Sequence, residues 1–217
     1  MFRAVWWQIA EYFVYHGDYL IFESFNELAN ANWSPAGREM SVINEWNQVF
    51  VDTVRSTGGN NDKRFLILPG YAGKGKYLLS SNFILPKDTK NDGNNRLIVA
   101  FHYYDPHEFT HGNQLTWGTR DDKTTIDTLF HNLDNKFIKK GIPVILDEFG
   151  VRYNAAIENV QKDYLSYIVR TAYKYGIPVL FWDDSSFSSG FMLFNRRTGS
   201  PFYFMESYVQ AMKDAVQ

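Results

Sequence analysis

Two glutamates stand at the ends of short apolar runs, and each run predicts a buried strand. Residues 19–27, YLIFESFNE, end in Asn26 and Glu27, and residues 142–150, IPVILDEFG, carry Glu148 near their end. The carboxyl ends of parallel strands open to solvent at one edge of a sheet, where functional groups gather. Glycoside hydrolysis needs two carboxyl groups. We therefore take Glu27 and Glu148 as candidate catalytic residues.

Taken alone, each glutamate has a structural explanation that is as good as the catalytic one or better. Asn26-Glu27 is also typical of a helix N-cap region or a solvated loop, and Glu148 could be a strand-end carboxylate with a structural partner. Two such strand ends in one chain favour the catalytic interpretation. One carboxylic acid protonates the leaving oxygen while the other carboxylate attacks the anomeric carbon, at a separation of about 5–5.5 Å.

Two further strand ends carry groups that could bind a sugar. His102 and Tyr104 lie two residues apart and share one face of a strand, so we expect them to form one polar wall. Tyr104 would orient the nucleophile, and His102 would bind sugar or tune the acid. Trp182 would stack on a sugar ring. The alternative for all three is a role in the core.

Acidic residues near these strand ends raise the question of a metal ion. Asp147, Asp183, Asp184 and His111 match no ligand spacing, so we interpret the carboxylates as solvated or hydrogen-bonded.

Five more tryptophans divide between predicted loops and helices. Trp33 and Trp117 lie in loops and are candidates for the walls of a cleft, whereas Trp6, Trp7 and Trp46 lie on predicted helices and are expected in the core.

Composition indicates one globular domain spanning residues 1–217. The net charge is −2 with acidic and basic residues mixed, so no nucleic-acid or membrane surface is expected. Aromatic residues make up 18% of the chain, which suits both a large core and a sugar-binding cleft. We find no signal peptide, no apolar run approaching a membrane span, and no cysteine for disulfides or thiolate metal sites.

Helical and strand patterns alternate along the chain. The predicted helices span residues 3–16, 38–57, 122–140, 156–175 and 203–216, and the predicted strands span residues 19–25, 64–68, 97–101, 143–147 and 178–183. A weaker helical pattern lies within the long excursion 71–95, and residues 184–200 are predicted as a loop. This alternation predicts an α/β fold of five parallel strands. The polar βα connections would build the active face.

Taken together, the motifs FESFNE at 22–27, HYY at 102–104, DEFG at 147–150 and FWD at 181–183 resemble the glycoside hydrolase family 5 cellulases. The resemblance implies part of a (β/α)₈ TIM barrel, strands four to eight of the family fold. It also implies a retaining endo-β-1,4-glucanase that acts on β-glucans or related β-glycans without a cofactor and is secreted.

Carried over residue by residue, the resemblance makes Glu27 the general acid/base and Glu148 the nucleophile. Asn26, His102, Tyr104 and Trp182 would bind substrate. Leu28 stands where most members have proline, which affects loop geometry rather than chemistry.

The resemblance assigns no counterpart to strands one to three, nor to an Arg and a His that line the family's cleft. Five strands do not close a barrel, so we expect a homo-oligomer that covers its open side. The alternative function is a catalytically silent β-glucan-binding or self-assembling fragment, because misoriented carboxylates would lose preorganisation.

Overall fold

The structure, a computed structural model, describes residues 1–35, 37–90, 93 and 95–217. Its main sheet has five parallel strands in the order β1-β2-β3-β4-β5. These are β1 (Phe22–Glu23), β2 (Leu66–Lys74), β3 (Leu97–Tyr103), β4 (Val144–Phe149) and β5 (Val179–Phe181). Neighbours in the sheet are also neighbours in sequence, as β-α units require. The prediction of a partial (β/α)₈ fold is therefore confirmed.

Seven α-helices accompany the strands in the described residues. They are α1 (Phe2–Tyr12), α2 (Gly37–Ser56), α3 (Gly75–Leu78), α4 (His107–Thr110), α5 (Arg120–Lys136), α6 (Glu158–Lys174) and α7 (Glu206–Asp214). Each long predicted helix is present with ends shifted by a few residues. None of the helices in the described part is long and apolar enough to cross a membrane.

Four predicted elements differ clearly from the structure. The strand predicted at 178–183 is limited to Val179–Phe181. The first strand is only two residues long, and the carbonyls of Gly17 and Leu20 before it accept from the Arg64 guanidinium. The second strand continues past its predicted end at residue 68 to Lys74. The predicted loop 184–200 contains a hairpin of β6 (Phe194–Asn195) and β7 (Ser200–Pro201).

The chain divides into two compact units, and the single-domain assignment of residues 1–217 stays a prediction. The first unit comprises residues 1–101 and 135–144, and the second comprises residues 102–134 and 145–217. Parts of the predicted loop 30–37 and of the excursion 71–95, namely residues 36, 91, 92 and 94, lie outside the described residues.

The core of the first unit lies where α1 and α2 cover β1 and β2. Fully buried Phe50, Val54 and Leu66 pack here, and Trp6 meets Phe50 edge-on with ring centroids 4.4 Å apart. The apolar residues of α1 and α2 recur at helical spacing, so each helix presents one apolar face to the strands.

The second unit is built around α5, α6 and α7. Tyr164 on α6 is fully buried and meets Phe109 with ring centroids 5.2 Å apart. The start of α5 is a capping box: Asp122 accepts from the Thr119 backbone at 2.9 Å, and the Asp122 backbone donates to the Thr119 hydroxyl at 3.2 Å. Both contacts satisfy amides that have no partner within the helix.

Candidate active site

Glu148, at the end of β4, has a hydrogen-bonding side chain beside each carboxylate oxygen. The Tyr104 hydroxyl donates to its Oε1 at 2.7 Å, and His102 Nδ1 lies 3.4 Å from its Oε2. Only 16% of the Glu148 side chain is exposed, against 4% for His102. The Tyr104 hydrogen bond thus orients a carboxylate that still reaches solvent, and His102 lies beside its other oxygen. His102, Tyr104 and Glu148 come together in the second unit, as the sequence predicted.

Alternation along β3 explains why two of three consecutive ring side chains face Glu148. Successive side chains of a strand point to opposite faces. Tyr103 accordingly packs on Phe130, with ring centroids 6.4 Å apart, while its neighbours contact Glu148. Burial, followed by the charges of Asp105 and Asp122, raises the pKa of Tyr103. This tyrosine therefore stays neutral and serves packing.

Asp147 flanks the histidine on its other side. Its Oδ1 lies 3.5 Å from His102 Nε2, and 7% of its side chain is exposed. Of the two alternatives expected for Asp147, solvated or hydrogen-bonded, the structure favours a polar partner over solvent. Sequence reasoning missed this role because adjacent strand residues, here Asp147 and Glu148, normally face opposite ways. A register irregularity between Leu146 and Phe149 accompanies the exception.

Trp182 lies at the end of β5, where its backbone N–H donates to the Phe149 carbonyl at 2.8 Å. Its side chain is 44% exposed. The alternative of a core tryptophan is wrong, since a ring this exposed has a face available for a ligand.

In the first unit, buried polar contacts anchor the end of β1 just before Asn26 and Glu27. The Ser24 hydroxyl donates to Asn47 Oδ1 at 2.7 Å, and Asn47 Nδ2 donates to the Pro69 carbonyl at 3.1 Å. Asn47 is fully buried on α2, so it ties this helix to both strands. After this anchor Asn26 is exposed and Glu27 is half-buried. Both residues lie in an irregular segment after β1, so their side chains do not have to point to alternate faces as the side chains of a strand do.

The remaining acidic candidates serve structural hydrogen bonds. Asp183 accepts from the backbone of Ser185 and Leu193, and Asp184 accepts from the backbone of Ser186. These contacts shape the turn after β5, in agreement with the hydrogen-bonded interpretation.

The tryptophans divide differently from the prediction. Trp33 is 45% exposed in the loop after Glu27, as a cleft residue would be. Trp117 was also expected in the wall of a cleft, but its ring contacts Phe109 and the buried Tyr164, as a core residue does. Trp7 is 44% exposed, so its expected place in the core is wrong.

Glycoside hydrolases built on (β/α)₈ barrels carry catalytic carboxylates at the carboxyl ends of parallel strands, and Glu148 at the end of β4 matches that class. Comparison with known proteins identifies the family within this class. The family model "Cellulase (glycosyl hydrolase family 5)" matches residues 1–188. This chain belongs to glycosyl hydrolase family 5.

Curated relatives and solved structures agree with this family. Endoglucanase 1 of Ruminococcus albus is 38% identical over 186 residues, covering 84% of this chain and 44% of that protein. Endoglucanase A of Paenibacillus barcinonensis is 33% identical over 220 residues, covering 90% and 55%. A family 5 lichenase variant from Caldicellulosiruptor sp. F32, solved with cellotetraose, is 34% identical with a TM-score of 0.91, covering 100% of this chain and 62% of that one. The chain spans about half the length of these curated relatives.

Proposed function

We propose that this chain is a retaining endo-β-1,4-glucanase in which Glu148 is the nucleophile and Glu27 the general acid/base. The observation that carries the proposal is the pair of contacts on Glu148, from the Tyr104 hydroxyl at 2.7 Å and His102 Nδ1 at 3.4 Å. A nucleophile must present one oxygen in line with the anomeric carbon, and a carboxylate whose plane is fixed does so without reorganisation.

The reaction has two steps. In the first, Glu148 attacks the anomeric carbon to form a glycosyl ester, while the Glu27 carboxylic acid protonates the departing glycosidic oxygen. In the second, the Glu27 carboxylate takes a proton from water, the water oxygen attacks the anomeric carbon, and the ester bond to Glu148 breaks. Two inversions at one carbon return the product to the original β configuration.

Three other side chains would bind the substrate. Asn26 is exposed beside Glu27 and is suited to the 2-hydroxyl group, where hydrogen bonds strengthen in the transition state. His102 would contact the sugar from the same wall as Tyr104. The exposed Trp182 ring would stack on the apolar face of a pyranose.

The substrate class rests on the relatives. They include endoglucanases and a lichenase solved with cellotetraose, so a β-glucan with 1,4 linkages is the proposed substrate. Secretion likewise stays a prediction from the family.

Incubation with carboxymethyl cellulose and with barley mixed-linkage β-glucan tests the proposal. We expect new reducing ends together with a rapid fall in viscosity, because internal bonds are cut. Proton NMR of the first product from a cello-oligosaccharide should show the β anomer before mutarotation. An initial α anomer would contradict retention. Glucan binding without any reducing ends would instead support the silent binding module.

Self-association is a second proposal about the same chain. Within the described residues β1 pairs only with β2, and β5 pairs only with β4. Ile21 beside β1 is 43% exposed, and Leu180 on β5 is 52% exposed. Apolar strand edges with unpaired backbone groups bind other chains. Sedimentation equilibrium should give a mass above the 25.3 kDa of one chain. A monomer across the concentration range would refute this proposal.

A further inference from the structure

The position of the Tyr104 hydroxyl depends on the rings around it. The Tyr104 ring meets His111 edge-on, with centroids 4.9 Å apart, and meets Phe191 at nearly a right angle with centroids 6.0 Å apart. The hydroxyl at the far end of this ring donates to Glu148 Oε1 at 2.7 Å. A hydrogen bond of this length is lost when the donor moves by about 1 Å. Whatever holds the ring therefore also holds the contact to Glu148.

The backbone of Tyr104 is held by the same segment. The Thr110 hydroxyl donates to the Tyr104 carbonyl at 2.6 Å and lies 2.9 Å from His111 Nδ1. A hydroxyl carries one proton. We assign that proton to the shortest contact, the one to the Tyr104 carbonyl, so that the Thr110 oxygen accepts from His111 and the assigned tautomer carries its hydrogen on Nδ1.

The His111 ring is itself fixed by two neighbours. The His107 ring lies parallel to it at a centroid distance of 4.5 Å, and the Phe191 ring contacts it at 4.8 Å. Because His107 and His111 lie one turn apart at α4, this short helix places both rings together. The His111 ring thus packs against two other rings, and its Nδ1 lies beside the Thr110 hydroxyl.

We propose that His111 is a positioning residue for the nucleophile and acts entirely through Tyr104. Its ring limits the rotation of the Tyr104 ring, and its Nδ1–H orders the Thr110 hydroxyl that holds the Tyr104 backbone. The inference rests on the proposed function in one respect, the role of Glu148 as the nucleophile.

A double-mutant cycle separates this role from general stabilisation. We expect His111→Leu to lower kcat about 10-fold or more, as loss of a hydrogen bond to a charged group does, with a change in KM below about 2-fold. Tyr104→Phe should lower kcat at least as much as His111→Leu does. In the Tyr104→Phe background, His111→Leu should change kcat by less than about 2-fold, because the contact it supports is already gone.

Conservative rescue tests the assigned tautomer. The Asn side chain can place an amide N–H near the position of Nδ1–H, so His111→Asn should retain more of kcat than His111→Leu does. His131→Leu, at an exposed position on α5, is the matched control and should leave kcat within about 2-fold. An equal loss from His111→Leu with and without Tyr104 would overturn the proposal, as would a change confined to KM.

A readout independent of turnover keeps this inference separate from the proposed function. Crystal structures of the wild type and of His111→Leu should show the distance from the Tyr104 hydroxyl to Glu148 increase from 2.7 Å to beyond the hydrogen-bonding limit of about 3.5 Å. An unchanged distance would overturn the positioning role even in an active enzyme. A chain that hydrolyses nothing but shows the expected displacement would refute the proposed function and leave the positioning role standing.

Discussion

Replacing Glu148 with Gln should abolish hydrolysis of carboxymethyl cellulose, lowering kcat on the order of 10⁴-fold or more. The neutral amide cannot form the glycosyl ester, whereas its shape and its oxygen preserve the hydrogen bond from Tyr104. The variant should therefore fold normally, which circular dichroism would verify. The matched control is Glu206→Gln, at an exposed position on α7, and it should keep full activity.

Glu27→Gln separates the two carboxyl roles. On a polymer it should lower kcat by about 10²–10⁴-fold, because the departing oxygen leaves without a proton. On an aryl β-cellobioside with an acidic phenol, the loss in the first step should be much smaller, since that leaving group needs no protonation. Glu148→Gln should be inactive on both substrates. Retention of near wild-type activity by either variant on the polymer would refute the catalytic assignment.

Replacing Arg64 with Met should lower the stability of the first unit more than a substitution of an exposed residue does. The guanidinium donates to the carbonyls of Phe13, His16, Gly17 and Leu20 and to Asn61 Oδ1, at 2.6–3.2 Å. All four carbonyls belong to the segment that follows α1. Methionine fills similar volume but removes all five hydrogen bonds that the guanidinium donates to this segment and to Asn61.

We expect a loss of about 3–5 kcal/mol in the free energy of unfolding, because several hydrogen bonds from a charged donor are lost together and each contributes about 1.5–3 kcal/mol. For a chain of this length that corresponds to a fall in Tm of about 6–20 °C. Urea unfolding followed by circular dichroism would measure it. Arg3→Met, on the exposed face of α1, is the control and should stay within about 0.5 kcal/mol. Equal stability of the two variants would show that the network contributes little.

The alternating pattern of the chain was sufficient for the architecture because parallel strands and amphipathic helices carry strong local signals. The runs before Glu27 and Glu148 were recognised as strands from their apolar residues and their abrupt polar ends. The ends of elements were harder to predict. β1 is shorter than its pattern, and the carbonyls of Gly17 and Leu20 before it bind Arg64, more than 40 residues further along the chain. A local sequence pattern contains no information on such a distant contact.

The site was predictable in its residue types and less so in its contacts. His102 and Tyr104 were expected on one face from their spacing alone, and the structure brings both to Glu148. The sequence left Asp147 as either solvated or hydrogen-bonded, and only the structure places its side chain beside His102. Its side chain follows a local irregularity in the pairing of β4 with β5, and such irregularities depend on both strands at once.

Sequence by itself determined the fold class, the family resemblance and the identity of the candidate groups, because these depend on residue types in order along the chain. Only the tertiary structure showed that Tyr104 and His102 contact Glu148 and that Trp182 is exposed. It also showed that the His111 ring packs against the Tyr104 ring. These are distances between side chains carried by separate strands and loops. Packing sets them, and the order of residues along the chain does not encode them locally.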